Sequence, residues 1–499
     1  MGIEVAVGAV VAALSNSVAA FAATFNVAQI LLTATLTAAS FASSLYSAQQ
    51  QKAAARKAAL GQAGVLTGEG AQETVFAQVV ARRTLYGEVT TGGVLLMPPQ
   101  YRPPYQYLGL VLAAHPCDSV VEIRINRQVV RLDANNFVVT SPFMRPDGVS
   151  LVKLSVRLGD PDQLVDPIVR EGLPEFGPAF RHRGCTTLFL RLQYGRTDAE
   201  HAEIFGSELK VTVRLRGKKV YDPRDPAQIW GLPATYRWSD SPTLCCADYS
   251  VSSPDVGLDP ALLDWATIGR SASIDGGMVQ RRDGQFERRY TVNGIIDTDA
   301  EPPTVIRNML AANRGRPVRR YGLYGFMAGA YTEPVMTIDD SLIAGAIDYR
   351  ADSPRRQRIN VLRSRMVAPE REYRVTDGPV LVREDYIEED EQRNENTLPL
   401  EFVEGAPRAQ RLVKAHMEDQ RRGRSIQTSL DIRAFGLEAG DTVRRVSAAF
   451  PHHDGLYTVE KSGLANRFTT IPVSLVETSP DILFFDPQVD ESPFTFALE

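Results

Sequence analysis

A few places in the 499-residue sequence bring together side chains of the types that do chemistry. His452, His453 and Asp454 are consecutive, and imidazoles beside a carboxylate suit metal binding or proton transfer. Adjacent residues of a strand point to opposite faces, however, and Asp454-Gly455 is a hairpin signal, so the stretch reads as a turn. Glu384, Asp385, Glu388, Glu389, Asp390 and Glu391 supply oxygens for a divalent cation. They lack the glycine and the alternating Asp or Asn of a calcium loop. The expectation is a solvated loop whose removal leaves the fold intact. Cys185 follows His182 closely, but thiol nucleophiles and their bases are usually drawn from distant parts of a chain.

Tyr321-Gly322-Leu323-Tyr324-Gly325-Phe326 has neither the spacing nor the following Lys-Ser or Lys-Thr of a phosphate cradle, and it reads as a hairpin. Cys117, Cys185, Cys245 and Cys246 show no CxxC spacing and read as buried free thiols. Arg355-Arg356-Gln357-Arg358 and Arg421-Arg422-Gly423-Arg424 are local basic stretches in a chain of net charge −5, which has no global field to hold nucleic acid. No catalytic set, metal site or cofactor site emerges, and the expectation is a protein that is not an enzyme.

The elements that carry these residues follow from the pattern of apolar side chains. With 44% hydrophobic and 23% charged residues the chain can bury a real core, and its length calls for several modules. No charged side chain lies between Glu4 and Lys52, and the apolar run Val18 to Tyr46 exceeds the roughly 20 residues of a membrane helix. Its many Ala and Ser residues suit helix packing as well as lipid contact. Glycines 61, 64, 68 and 70 mark a linker. Beyond it, Val121 to Asn126, Leu188 to Leu192 and Glu208 to Arg216 alternate with period two, the mark of half-buried strands. In the last, Leu209, Val211, Val213 and Leu215 share one face. Lys210, Thr212, Arg214 and Arg216 face solvent or a partner protein. Pro302-Pro303 and Pro407 lead into amphipathic helices over Thr304 to Ala312 and Arg408 to Arg422. The fold class is α+β with antiparallel sheets dominating.

Several sequence words carry a resemblance. They begin with Tyr86-Gly87-Glu88-Val89-Thr90-Thr91-Gly92-Gly93-Val94, then Arg216-Gly217-Lys218-Lys219-Val220-Tyr221-Asp222-Pro223-Arg224 and Trp238-Ser239-Asp240-Ser241-Pro242. Tyr290 to Asp299 with Pro302-Pro303, Phe326 to Asp340, Gly436 to Val443 and Val473 to Thr478 follow in order. This series resembles the tail tip and hub proteins of long-tailed bacteriophages related to the tip attachment protein J of lambdoid phages. Gly217, Tyr221, Asp222, Pro223, Arg224, Trp238, Asp297 and Asp299 are the matching motif positions. The apolar amino-terminal segment is not part of that pattern.

The resemblance implies several small β domains in a tail-hub ring. The expected division is an apolar helical segment 1–60, a linker 61–78, a β-rich domain 79–235 and an α+β domain 236–312. A β-rich domain 313–400 with the acidic loop, a helix with a small barrel 401–484 and an extension 485–499 complete it. It also implies a structural virion protein at the distal tip of the tail, a homotrimer that closes the tube and organises attachment and genome ejection. Implied partners are the distal tail protein and other tip proteins, the tape-measure protein, and a receptor-binding protein or fibre. The host membrane is a further partner, through the apolar segment. A tail-associated cell-wall hydrolase and a membrane-anchored protein are the alternative classes.

Overall fold

The computed structural model describes residues 81–194, 197–205, 209–463, 465 and 469–494. The segment 1–60 and the linker 61–78 lie outside the described residues. Among those described, no helix is long and apolar enough to cross a membrane.

Two four-stranded antiparallel sheets open the described chain. Val94–Arg102, Tyr105–Ala113, Thr186–Gln193 and Val152–Arg157 form one, in that spatial order; Glu88–Thr91, Val211–Arg216, Ser119–Ile125 and Gln128–Val129 form the other. Leu110, Leu112, Leu154, Leu188 and Leu190 of the first share a core with Ile123, Ile125, Val213 and Leu215 of the second. The strand containing Leu188 to Leu192 is not half-buried as expected. Its other face puts Phe189 against Ile168, Val169 and Leu173 on and beside the short helix Pro167–Gly172. Asp166 caps that helix, accepting from the Ile168 amide at 2.8 Å and the Ser155 hydroxyl at 2.5 Å.

A second core lies among the helices Pro242–Ser252, Trp265–Asp275, Pro302–Ala311 and Ala406–Arg421. Prolines stand in the first turn of the last two, where a missing N–H costs nothing. Leu412, Val413 and Met417 bury the apolar face of Ala406–Arg421 against Leu362, Met366 and Leu400 of the sheet formed by Arg374–Val382, Val361–Ala368 and Glu395–Glu404. The expected hairpin is present as Arg316–Arg320 and Leu323–Met327. Tyr321 and Gly322 have φ of 50° and 83°, which suits the twist of a two-residue hairpin.

A six-stranded sheet holds the third core, in the order Met336–Ile338, Thr442–Arg445, Gly455–Ser462, Thr470–Glu477, Ser425–Asp431 and Asp348–Arg350. Ile338, Val443, Tyr457, Val459 and Leu475 pack inside it. The pairing is antiparallel through most of the molecule. Met336–Ile338 with Thr442–Arg445, and Val361–Ala368 with Glu395–Glu404, are parallel pairs.

Three further expectations need correction. The His452-His453-Asp454 stretch is a turn joining antiparallel strands, but not a two-residue hairpin: Pro451–His453 is a short 3-10 helix, and Gly455 already begins the next strand. Proline fixes φ for that turn, which two-residue hairpin rules do not anticipate. The acidic run is not a loop, because Glu384–Asp390 is a helix with Asp390 buried against arginines. The charged face of Val211–Arg216 is partly closed within the chain, since Arg214 meets Glu88 and Glu404.

Candidate functional site

The motif positions fall into two places. Strand Val211–Arg216 delivers Gly217, whose N–H donates to the Gly87 carbonyl at 2.8 Å, while the Lys218 N–H donates to the Leu85 carbonyl at 2.8 Å. Gly217 is not at positive φ, so conformational freedom is not what calls for a glycine here. The reason for a glycine is proximity: a Cβ there would lie 2.2 Å from the Leu85 carbonyl oxygen. Lys218 then reaches Asp248 at 2.6 Å, and Asp248 also accepts from the Tyr86 hydroxyl at 2.5 Å.

Lys219–Val220 pairs with Arg237–Trp238, which brings the two words of the motif side by side. Tyr221 meets Trp230, Trp265 and Tyr236 with ring centroids 5.2, 5.2 and 5.7 Å apart. Asp222 accepts from the Arg224 backbone N–H at 3.0 Å and from its guanidinium at 2.8 and 2.6 Å. Pro223 and Arg224 lie over Gly269 of helix Trp265–Asp275. The Trp238 indole donates to the Gly87 carbonyl at 3.1 Å, and the Arg216 guanidinium sits 4.8 Å from its ring.

A cavity of about 320 Å³ opens beside this turn, with Asp222, Asp225, Asp240 and Asp275 in its wall. Arg224 holds Asp222, Arg237 holds Asp225 at 3.2 Å, and Arg288 holds Asp240. Asp275 is fully buried and accepts from the Ser241 hydroxyl at 2.6 Å, the Thr243 amide at 3.1 Å and the Asn313 amide at 2.9 Å. Burial raises its pKa and these donors oppose the rise. Ser241 also caps helix Pro242–Ser252, so the group ties a helix start to a helix end. Each carboxylate is committed to a structural partner, and the arrangement fixes geometry without presenting a free base.

Asp297 and Asp299 stand elsewhere. Asp297 pairs across the two-stranded sheet with Arg83, the guanidinium 3.4 Å away. Burial raises its carboxyl pKa and Arg83 counters that. Asp299 is exposed in the following turn.

The other sequence candidates are structural. His453 is buried beside His452 and Tyr349, with ring centroids 4.4 and 4.2 Å away, and burial lowers its pKa. The His182 ring packs on Phe180 at 4.1 Å, while burial raises the Cys185 thiol, the wrong direction for a nucleophile. All four cysteines are free, with Cys117, Cys245 and Cys246 buried and Cys185 partly so. Among the described residues no cluster suits a metal ion.

Two charge clusters escaped sequence reading. Arg214 links Glu88 at 2.7 Å to Glu404 at 3.0 Å and lies 3.9 Å from the Tyr373 ring centre, joining the first sheets to the central body. Asp390 receives Arg421 at 2.7 Å and Arg358 at 3.4 Å, with the Asn360 amide at 3.1 Å. The available signal was an arginine amid apolar residues of a strand or helix, which is the ordinary sign of a solvated face as well.

No family model and no curated protein matches the sequence. Among solved structures, the chain is similar to one in the virion of a native gene transfer agent particle, with TM-score 0.54 and 16% identity over 88% of this chain and 97% of that one. A tail protein from Neisseria meningitidis MC58 aligns at TM-score 0.30 and 11% identity, over 82% of this chain and 99% of that one. The 43 kDa tail protein of prophage MuSo2 from Shewanella oneidensis aligns at TM-score 0.28 and 10% identity, over 82% and 96%. The first likeness is one of fold, and the other two are too distant to reason from.

Proposed function

We propose that this chain is a structural hub protein at the distal tip of a phage-like tail, where it closes the tube and organises the tip for attachment and DNA delivery. One observation carries the reading: a fold shared along 97% of a chain from an assembled virion particle. The joints built around Arg214 and Asp248 support it, because they tie the strands of the first sheets to the helical body. A homotrimer with cyclic closure is the assembly proposed. Its neighbours are the distal tail protein, other tip proteins, the tape-measure protein and a receptor-binding protein or fibre. The apolar segment before residue 61 is proposed to cover itself as a threefold helical bundle on the axis and to enter the host membrane after the tip opens.

Deletion of the gene tests the reading. Electron microscopy of the resulting particles should show filled heads without completed tails, with normal tails restored by supplying the full chain. Deletion particles that carry complete tails and deliver DNA normally would contradict it.

A further inference from the structure

We infer that a second surface cavity, between strand Met278–Gln280, helix Ala406–Arg421 and residues 482–487, receives a carboxylate on an acidic, apolar-flanked segment of another polypeptide. The cavity measures about 340 Å³, and Arg289, Tyr290, Arg411, Ile482, Phe484 and Phe485 are in its wall. That volume takes a short stretch of side chains.

The charge around the cavity does not balance. Glu287 is shared by Arg411 at 2.6 Å and Arg408 at 3.4 Å. The Arg411 side chain is only 10% exposed, and its Nε and Nη1 are buried without a hydrogen-bond partner. Arg408 spends another N–H on the Glu404 carbonyl oxygen, which carries no net charge. Arg289, half-buried, has no carboxylate partner among the described residues. The two guanidiniums of the cavity wall, Arg289 and Arg411, therefore have between them only Glu287, which Arg411 shares with Arg408. The neighbouring cations are matched: Lys414 meets Asp490 at 2.5 Å, and Arg282 holds the Glu491 carbonyl at 2.6 Å while its own N–H meets the Glu491 carboxylate at 3.0 Å. The surplus belongs to the cavity, and a buried surplus of positive charge favours an incoming anion.

The wall selects which anion. Val279, Ile482, Leu483 and Phe485 line the cavity, and Phe484 at its edge is 66% exposed. Val489, farther along the same segment, is 76% exposed. A guanidinium fork donates to carboxylate and phosphate alike, but a bare phosphate leaves this apolar wall wet. A carboxylate with apolar neighbours on a peptide satisfies both the arginines and the aromatic rim. The inference stands on this local geometry and does not rest on the hub reading.

Isothermal titration of the full chain with acetyl-Phe-Glu-Phe-amide tests it, alongside the matched peptide carrying Gln for Glu. The Glu peptide should bind saturably and the Gln peptide about tenfold or more weaker. Arg289→Met, which leaves the Glu287 contacts in place, should weaken the Glu peptide by about tenfold with an unchanged melting temperature. Arg411→Met should do the same where it folds, and Arg289→Met decides the matter where it does not. Equal binding of the two peptides, absence of saturable binding, or native affinity in Arg289→Met would overturn the inference. Displacement of the peptide by an equal concentration of inorganic phosphate would also overturn it and assign the cavity to phosphate.

Discussion

Strand Val211–Arg216 of the paired sheets and helix Ala406–Arg421 of the helical body use charge in opposite ways. In the sheets, alternation sorts the side chains: Val211, Val213 and Leu215 go inward, while Arg216 stays outside with a side chain 46% exposed. In helix Ala406–Arg421 the arginines are enclosed. Arg408, Arg411 and Arg421 have side chains 11%, 10% and 9% exposed, each beside a carboxylate. The periodicity of an element says where its apolar face points. It says nothing about which other part of the chain arrives to cover the polar face. Arg214 marks the border, being a sheet residue whose polar side is closed by the helical body.

The largest expected effect is at Asp390, whose side chain is fully buried between Arg421 and Arg358. Asp390→Ala should cost about 3 kcal/mol, because it removes the one buried carboxylate and leaves Arg421 and Arg358 with only the exposed Glu389 and Asp352. Glu391→Ala, at a side chain 76% exposed, should cost under about 0.5 kcal/mol. Urea unfolding of both variants sharpens the contrast, and equal small losses would return the acidic run to a solvated loop.

At the border, Arg214→Met should destabilise by about 2–3 kcal/mol, below the buried limit because Glu88 and Glu404 keep some contact with water. Limited proteolysis of the variant should cut first between the sheets and the helical body. A variant with native stability and an unchanged cleavage pattern would remove the joint from consideration.

Gly217→Ala comes next, at about 2 kcal/mol, since its Cβ would press on the Leu85 backbone that underlies the motif turn. Gly231→Ala is the reference: it meets open space and has only its φ of 81° to strain, worth about 1 kcal/mol. Thermal melts that rank the two in reverse would dissolve the proximity explanation.

The smallest effect is one of pH. The Asp340 carboxyl is held down to about 2, first by the Ser447 hydroxyl and then by the Arg445 guanidinium. A depressed folded pKa adds stability that is present above the unfolded value and is lost as pH falls through the folded one. The stability gap between the native chain and Asp340→Asn should therefore narrow from about pH 4 to about pH 2. A gap constant over that window, followed by denaturant titration, would contradict the assignment.

Much of the scaffold was legible because its signals are local. The strands around Val121 and Val213, the proline-led helices and the Tyr321-Gly322 hairpin each depend on neighbours a few positions away. The acidic helix was missed because counting charges passes over Tyr386 and its contacts with Glu418 and the Arg421 guanidinium. The burial of His453 was missed because nothing local reveals Tyr349, which arrives from over a hundred residues away. Gly217 was recognised as a motif glycine, but sequence does not distinguish a positive φ from a close backbone approach. Of the motif positions, Tyr221, Asp222, Pro223, Arg224 and Trp238 gather around one turn, and Asp297 pairs with Arg83 instead.

Cryo-electron microscopy of purified particles, reconstructed around the end of the tail, bears most directly on the hub proposal. Density at the distal tip should accommodate residues 81–494 in three copies about the tube axis, with further density on the axis for the apolar segment. Finding the chain in the head, or repeated along the tube, with a different protein closing the tip, would contradict it.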